Sequence, residues 1–363
     1  MAKYLKQWVR AFGGIYLTVF LLASLFLLVL FATFAQVDFG IYEANQRYFS
    51  SWFVWMDSIP IFLGGYSIGL LLVVNLILSH ATKFKFKFNY LGIFLIHFGL
   101  ILLIFGSGVT SFFGQEMQID IKEKSTKSYV IFPTLFEFVI IDQFSNTTKD
   151  LLYVYSIDQL KKGVSFKGIE IKLTRYYENA IINQRGIESL KYSQLGQFYK
   201  LISLPKTYKM DERNVPGFEL SLTNNSRLDY FIFWGGSSIY QELNIDGQKY
   251  LFKLRPKRKY LPFSLYLKDF VKTDYQGTDT PQQFISYINL NTYEGEIPYK
   301  IEMNHPLRYN GYTFFQSSFT EDETTSVFQV VKNPSWQIPY LSSLLIVIGL
   351  FIQMIISMKR TKP

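Results

Sequence analysis

The 363-residue chain contains no cysteine and only three histidines. The first absence excludes disulfide frameworks, thiol catalysis, thiolate-bound zinc and cysteine-ligated iron–sulfur clusters. The second leaves few imidazoles with which to hold a metal. There is no glycine-rich phosphate loop and no G-x-S-x-G elbow, and the carboxylates are scattered without a paired-acid constellation. Self-contained hydrolytic or phosphoryl-transfer machinery is therefore not encoded. Charge is scarce as well, at 18% of residues, against 49% apolar and 18% aromatic. That balance is too oily for an ordinary soluble protein and predicts a membrane protein with an aqueous domain.

Four apolar runs, residues 12–35, 59–78, 91–113 and 336–358, are long enough to cross a bilayer as helices, which takes about 20 residues. The first follows Lys3, Lys6 and Arg10, but its apolar stretch exceeds a signal-peptide core and reads as a retained anchor. The net charge of +9 is concentrated at the ends of these runs: Lys3, Lys6 and Arg10; Lys83, Lys85 and Lys87; Lys359, Arg360 and Lys362. No acidic residue accompanies these groups, and elsewhere the signs nearly cancel. The excess is thus a topology signal, predicting both termini and the loop around Lys85 in the cytoplasm. Nucleic-acid binding loses its support, and no nucleic acid is expected as a partner.

The chain divides by this reading into a membrane region (1–114), a β-rich extracytoplasmic domain (115–334) and a final span with a cytoplasmic tail (335–363). The middle part shows short alternating or aromatic-rich runs, among them 117–121, 128–133, 135–141, 169–176, 218–222, 250–254, 261–270, 283–290 and 312–317. Turn signals at 166–168, 245–247 and 309–311 punctuate them. A sandwich or barrel-like domain is expected. Residues 179–216 are too irregular to assign. The basic run 255–259 reads as a solvated hairpin turn rather than a site for propionates or an acidic peptide.

His97 lies inside the third apolar run, where an ionisable ring is costly and faces a partner, a cavity or a cofactor. Two readings are open: an axial ligand for haem iron, or a hydrogen bond to a polar residue such as Asn75. Gly92, Gly99 and Gly106 form a stripe on the opposite side of the helix, suited to close approach of another helix. His80, at the cytoplasmic end of the second run, reads as an ordinary interfacial histidine. His305, before Pro306, reads as a strand-end or loop residue.

Four stretches carry a wider resemblance: ATFAQ from Ala32 with Tyr48, Phe49 and Trp52; HFGLILLIFGSGVTSFFGQEMQIDIKEK from His97; LPFSLYLKDFVKTDYQGTDTPQQFISYINL from Leu261; and NHPLRYNGYTFFQSSF from Asn304. In this order they resemble the ResB (CcsB) family of system II cytochrome c biogenesis. The resemblance implies a subunit that helps to carry haem b across the bacterial cytoplasmic membrane. With a multispan CcsA (ResC) partner it would present that haem to the CXXCH segment of apocytochrome c, whose thiols a thioredoxin-like reductase keeps reduced. His97 matches the family's haem axial ligand, shared with a histidine of the partner. The tryptophan-rich WWD motif and external histidine pair of CcsA-like chains do not occur here, so the chain resembles the ResB half of a split system or part of a fused protein. It is expected to be a co-catalytic or non-catalytic subunit, with no catalytic residue assigned. The stretch around Asn310-Gly311 is read first as a hairpin that defines the fold. In a direct role Arg308 would pair with a haem propionate and His305 would be a transient ligand. A scaffold that chaperones apocytochrome or stabilises the partner, and a membrane sensor unrelated to cytochromes, are the alternatives.

Overall fold

In the computed structural model, residues 2–83, 87–142, 151–186, 189, 191–206, 214–224, 227–277, 281–320 and 323–360 are described; Lys85 and Lys362 of the basic groups lie outside them. In chain order the first part contains α1 (Ala2–Phe12), α2 (Ile15–Ala44), β1 (Phe53–Met56), β2 (Ile59–Leu63), α3 (Gly65–Lys83) and α4 (Leu91–Phe113). The middle contains β3 (Gln115–Lys122), β4 (Thr126–Asp142), β5 (Leu151–Ser156), α5 (Ile157–Lys162), β6 (Val164–Phe166), β7 (Ile169–Tyr177), β8 (Ala180–Gln184), α6 (Leu195–Phe198) and β9 (Tyr199–Ser203). It continues with β10 (Gly217–Asn224), β11 (Arg227–Trp234), β12 (Gln241–Ile245), β13 (Gln248–Asp274), β14 (Pro281–Thr292), β15 (Gly295–Glu302), β16 (Leu307–Tyr309), β17 (Tyr312–Phe319) and β18 (Thr325–Lys332). The chain then enters α7 (Ile338–Arg360).

Two compact units result: residues 1–115 with 332–363, and residues 116–207 with 211–331. The first holds four helices long and apolar enough to cross a membrane, Ile15–Ile41, Gly65–Thr82, Phe88–Phe113 and Ile338–Met358. Three precede and one follows the β-rich region, which is the expected fold class. The second span starts later than the hydropathy suggests. Residues 59–63 pair with 53–56 as a hairpin, turning at Asp57 with φ of 54°. Pro60 supplies no amide hydrogen, and helix formation resumes only after Gly64.

Within this unit the glycine stripe does what its spacing predicts. Gly92, Gly99 and Gly106 are buried against α7. A Cβ added at Gly92 would stand 2.7 Å from Gln353, and one at Gly99 2.7 Å from Ile346 and 2.9 Å from the Ser342 carbonyl. Gly349 of α7 answers from the other side, 2.8 Å from the Gly92 carbonyl by the same measure. The absence of side chains thus lets the two backbones meet.

The second unit is built on two long strands. β4 and β13 pair antiparallel along most of their lengths, at the middle of a ten-stranded sheet that runs β15-β14-β13-β4-β3-β18-β17-β16, with β5 and β12 also paired to β4 and β13. A four-stranded sheet, β11-β10-β7-β6, covers one end of this pair. There Phe138, Phe218, Phe231, Phe233, Tyr250 and Phe252 form one core. At the other end Ile119, Val130, Leu265, Leu290, Phe314 and Phe328 form a second. Each such buried apolar side chain contributes about 1.5–3 kcal/mol.

The inward residues of β13 are even-numbered through Leu254 and odd-numbered from Leu261 to Leu267. The phase changes across residues 255–259, where the pairing with β4 shifts register at Pro256/Lys257. This corrects the expectation of a hairpin turn: the basic run is the interior of one 27-residue strand. Runs 128–133 and 135–141 are likewise one strand, β4. The stretch 179–216, unassigned from its sequence, contains β8, β9 and α6 among its described residues. The expected turns at 245–247 and 309–311 are present, with Asp246, Gly247, Asn310 and Gly311 all at positive φ, as two-residue hairpin loops require.

Candidate functional site

A ring inside a membrane helix must be explained by what surrounds it, and at His97 the surroundings include another imidazole. His97 lies in the second turn of α4 and His80 in the last turn of α3. The short connection between these helices sends them back antiparallel, so the residues flanking it reach a common depth. The two rings meet edge to face with centroids 4.8 Å apart. Phe94 packs beside His80 at 6.1 Å and stacks on Phe98, giving the pair an apolar wall.

The protonation pattern of His80 follows from geometry. Its Nδ1 lies 3.1 Å from the Leu76 carbonyl, one turn earlier. A carbonyl oxygen only accepts, so this nitrogen carries a hydrogen and donates it. At His97, Nδ1 is buried and has no hydrogen-bond partner among the described residues.

Asn75 is not the partner of His97. It is 1% exposed and its amide donates to the carbonyls of Phe12 at 2.6 Å and Gly14 at 3.1 Å, while its oxygen accepts from Thr18 Oγ1 at 2.7 Å. It thereby satisfies the carbonyls left open where α1 breaks into α2. Of the two readings open for His97, the hydrogen bond to Asn75 is overturned.

The other sequence-derived candidates lie in the second unit. His305 is 75% exposed at its side chain and forms an isolated β-bridge with Glu302, with Nδ1 3.8 Å from that carboxylate. Lys300, bonded to Glu302 at 2.7 Å, holds the carboxyl below its ordinary range. Arg308 is exposed on β16, with Nη1 3.5 Å from Thr313 Oγ1. Leu307, Tyr312 and Phe314 of the same stretch are buried in the core, so this motif builds a hairpin before it does anything else. Among the described residues no three histidine, aspartate or glutamate side chains are grouped to hold a metal ion. The two imidazoles of α3 and α4 lie against each other with no third such side chain grouped with them among the described residues.

The contact of His80 with His97 was not foreseen from the sequence, which reads His80 as an ordinary interfacial histidine. A signal was present: two histidines, one on each side of a short loop between antiparallel spans, are brought to similar depth by the hairpin itself.

Residues 241–327, from β12 into β18, match the model of the ResB-like family. The chain is also similar to Protein NrfI of Wolinella succinogenes, with 25% identity over 326 residues. That alignment takes in 88% of this chain and 32% of the relative, so the chain spans about a third of the relative's length. Two of the four resemblance stretches, those from Leu261 and Asn304, fall inside the family match. The resemblance read from the motifs is met across residues 241–327, which are similar to the ResB-like family.

Proposed function

We propose that this chain acts in cytochrome c biogenesis as a ResB-type component, handling haem as cargo together with a CcsA-like multispan partner. The observation that carries the reading is His97, an imidazole inside a membrane helix, turned from the α7 interface and free of any hydrogen bond at its buried Nδ1 among the described residues. A neutral imidazole in an apolar wall is a competent axial ligand for haem iron. His97 binds from one side, and the partner supplies the ligand on the other. The α4–α7 contact fixes the helix that bears it.

In this reading both termini face the cytoplasm of a bacterium and the β-rich unit lies outside, where it meets the partner and the CXXCH segment of apocytochrome c. The chain's own residues hold and orient; thioether formation uses the thiols of the apocytochrome, consistent with a chain that has no cysteine. Arg308 and His305 are kept as residues for a propionate and for transient ligation, respectively.

The test is spectroscopic. The chain co-purified with its multispan partner should show a b-type haem absorption band. His97→Ala should deplete it, and added imidazole should restore it. Unchanged haem content and unchanged holocytochrome yield in the variant would remove the ligand role.

A further inference from the structure

Between α2 and α3 the chain does not turn back directly but builds the β1–β2 hairpin, on which Phe53, Trp55, Met56, Ile59 and Ile61 are each 43–65% exposed. We infer that this hairpin is an interfacial membrane anchor, with its outward apolar face lying in the headgroup layer of the bilayer that the spans cross.

The base of the hairpin is held by the span that follows it. The Gly64 amide donates to the Trp52 carbonyl at 2.8 Å, Ser67 Oγ donates to the same carbonyl at 2.6 Å, and the Tyr66 amide donates to the Ser51 carbonyl at 3.2 Å. These bonds tie the start of β1 and the end of β2 to the first turn of α3, at the end of that span remote from Lys83. Register then decides which side chains face the helices. Val54 and Phe62 stand opposite one another and so share a face. Val54 is buried and Phe62 packs on the same cluster, which includes Leu21 and Leu28 of α2 and Ile68 of α3. Phe53 and Trp55 take the other face, their rings meeting edge to face at 6.4 Å.

The surroundings of that face name its occupant. Residues 48–64 contain a single charged side chain, Asp57 at the turn, so the hairpin offers little to water or to a charged partner. Trp52 meets Tyr66 at 5.7 Å; Tyr66 stacks on Phe112 of α4 at 5.0 Å, and its hydroxyl lies 2.6 Å from Ser111 Oγ. The start of α3 and the end of α4 are thereby held at one level. Trp336 and Tyr340 pair where α7 begins. Tryptophan and tyrosine gathered at the ends of spans mark the depth of the lipid headgroups, and the hairpin extends from this belt.

Its depth follows from its backbone. Among the described strands β1 and β2 pair only with each other, so each leaves one edge of peptide groups outside the ladder. Hydrocarbon tolerates no such edge, and a lone two-stranded hairpin is marginal in water. The headgroup layer meets both demands, taking up the apolar side chains while water and lipid oxygens bond the edges. With no basic residue in 48–64, the contact needs no anionic lipid. The inference rests on the four spans crossing a membrane and not on the haem reading.

The experiment uses the full chain, which has no cysteine of its own, labelled with the fluorophore NBD at Ile59→Cys in phosphatidylcholine nanodiscs. Quenching is measured with nitroxide lipids labelled at the headgroup or deep in the acyl chain, and with aqueous iodide. The headgroup nitroxide should quench about twofold more than the deep one, and iodide should quench several-fold less than it does the same dye on free N-acetylcysteine. Adding Trp55→Asp and Ile61→Asp should cut the headgroup quenching by about half, as acidic side chains leave the apolar layer. Stronger quenching by the deep nitroxide would overturn the interfacial depth. Iodide quenching equal to that of the free adduct would place the hairpin in water and overturn the anchor. Protection from iodide without quenching by either lipid would show protein over the face, from this chain or a second copy, and would overturn it as well. The labelled parent gives these answers even where the aspartate variant fails to fold. No readout involves haem, so failure here and failure of the His97 reading are separable.

Discussion

At the scale of single residues the most consequential interaction in the β-rich unit is the pairing of Glu137 with Arg255. Both are nearly buried, at 6% and 7% exposure, and Glu137 Oε1 receives Arg255 Nε and Nη2 at 2.9 Å each. They sit opposite one another in the β4–β13 register, next to the shift at Pro256/Lys257. A charge taken out of water is tolerable only while its partner stays, so removing one side should cost more than removing both. Arg255→Met should lower stability by about 3–5 kcal/mol, and Glu137→Leu combined with Arg255→Met should recover most of that loss. Urea unfolding followed through Trp234 would measure it; equal costs for the single and double variants would show that the pair is dispensable. The pair also explains why the basic run misleads a reader of sequence. Its partner is 118 positions away, and nothing local distinguishes a buried arginine in a strand from a solvated one in a turn.

Elements were legible where the pattern is carried by their own residues. The stripe of Gly92, Gly99 and Gly106 predicts a tight helix contact because the 3.6-residue period alone puts these positions on one face. That α7 is the helix met there comes only from the structure. The consequence is testable on one helix. Gly99→Leu places a side chain where Ile346 and the Ser342 carbonyl stand, whereas an alanine at Gly108 meets nothing within 4 Å. Gly99→Leu should lower the thermal midpoint of the detergent-solubilised chain by several degrees, and Gly108→Ala should leave it unchanged. Equal midpoints would mean that α4 and α7 are not held by this contact. The continuity of β4 and β13 was not legible: β13 changes its inward phase as it passes between two cores, and in β4 the pairing is interrupted by the register shift between Phe132 and Phe136, so each looks like two strands. The His80–His97 pair lay between these cases. Each residue was visible, but their meeting depends on two helices packing in a particular rotation.

For the whole molecule, the distribution of charge makes a prediction that no single contact makes. The basic groups at 3–10, 83–87 and 359–362 lie at one set of span ends, and the β-rich unit joins α4 to α7 at the other. An even number of crossings separates these groups from one another, so one orientation satisfies the positive-inside tendency at all of them together. The absence of cysteine turns this into a clean measurement, since any introduced thiol is unique. Lys87 is exposed beside the connection between α3 and α4, and Tyr293 is 91% exposed at the turn between β14 and β15. In spheroplasts a membrane-impermeant maleimide should label Tyr293→Cys at once and Lys87→Cys only after permeabilisation. Labelling of Lys87→Cys in intact spheroplasts would reverse the orientation, moving His80 and His97 to the outer half of the membrane. The proposed haem ligand His97 would then lie nearer the outer face than the cytoplasmic one.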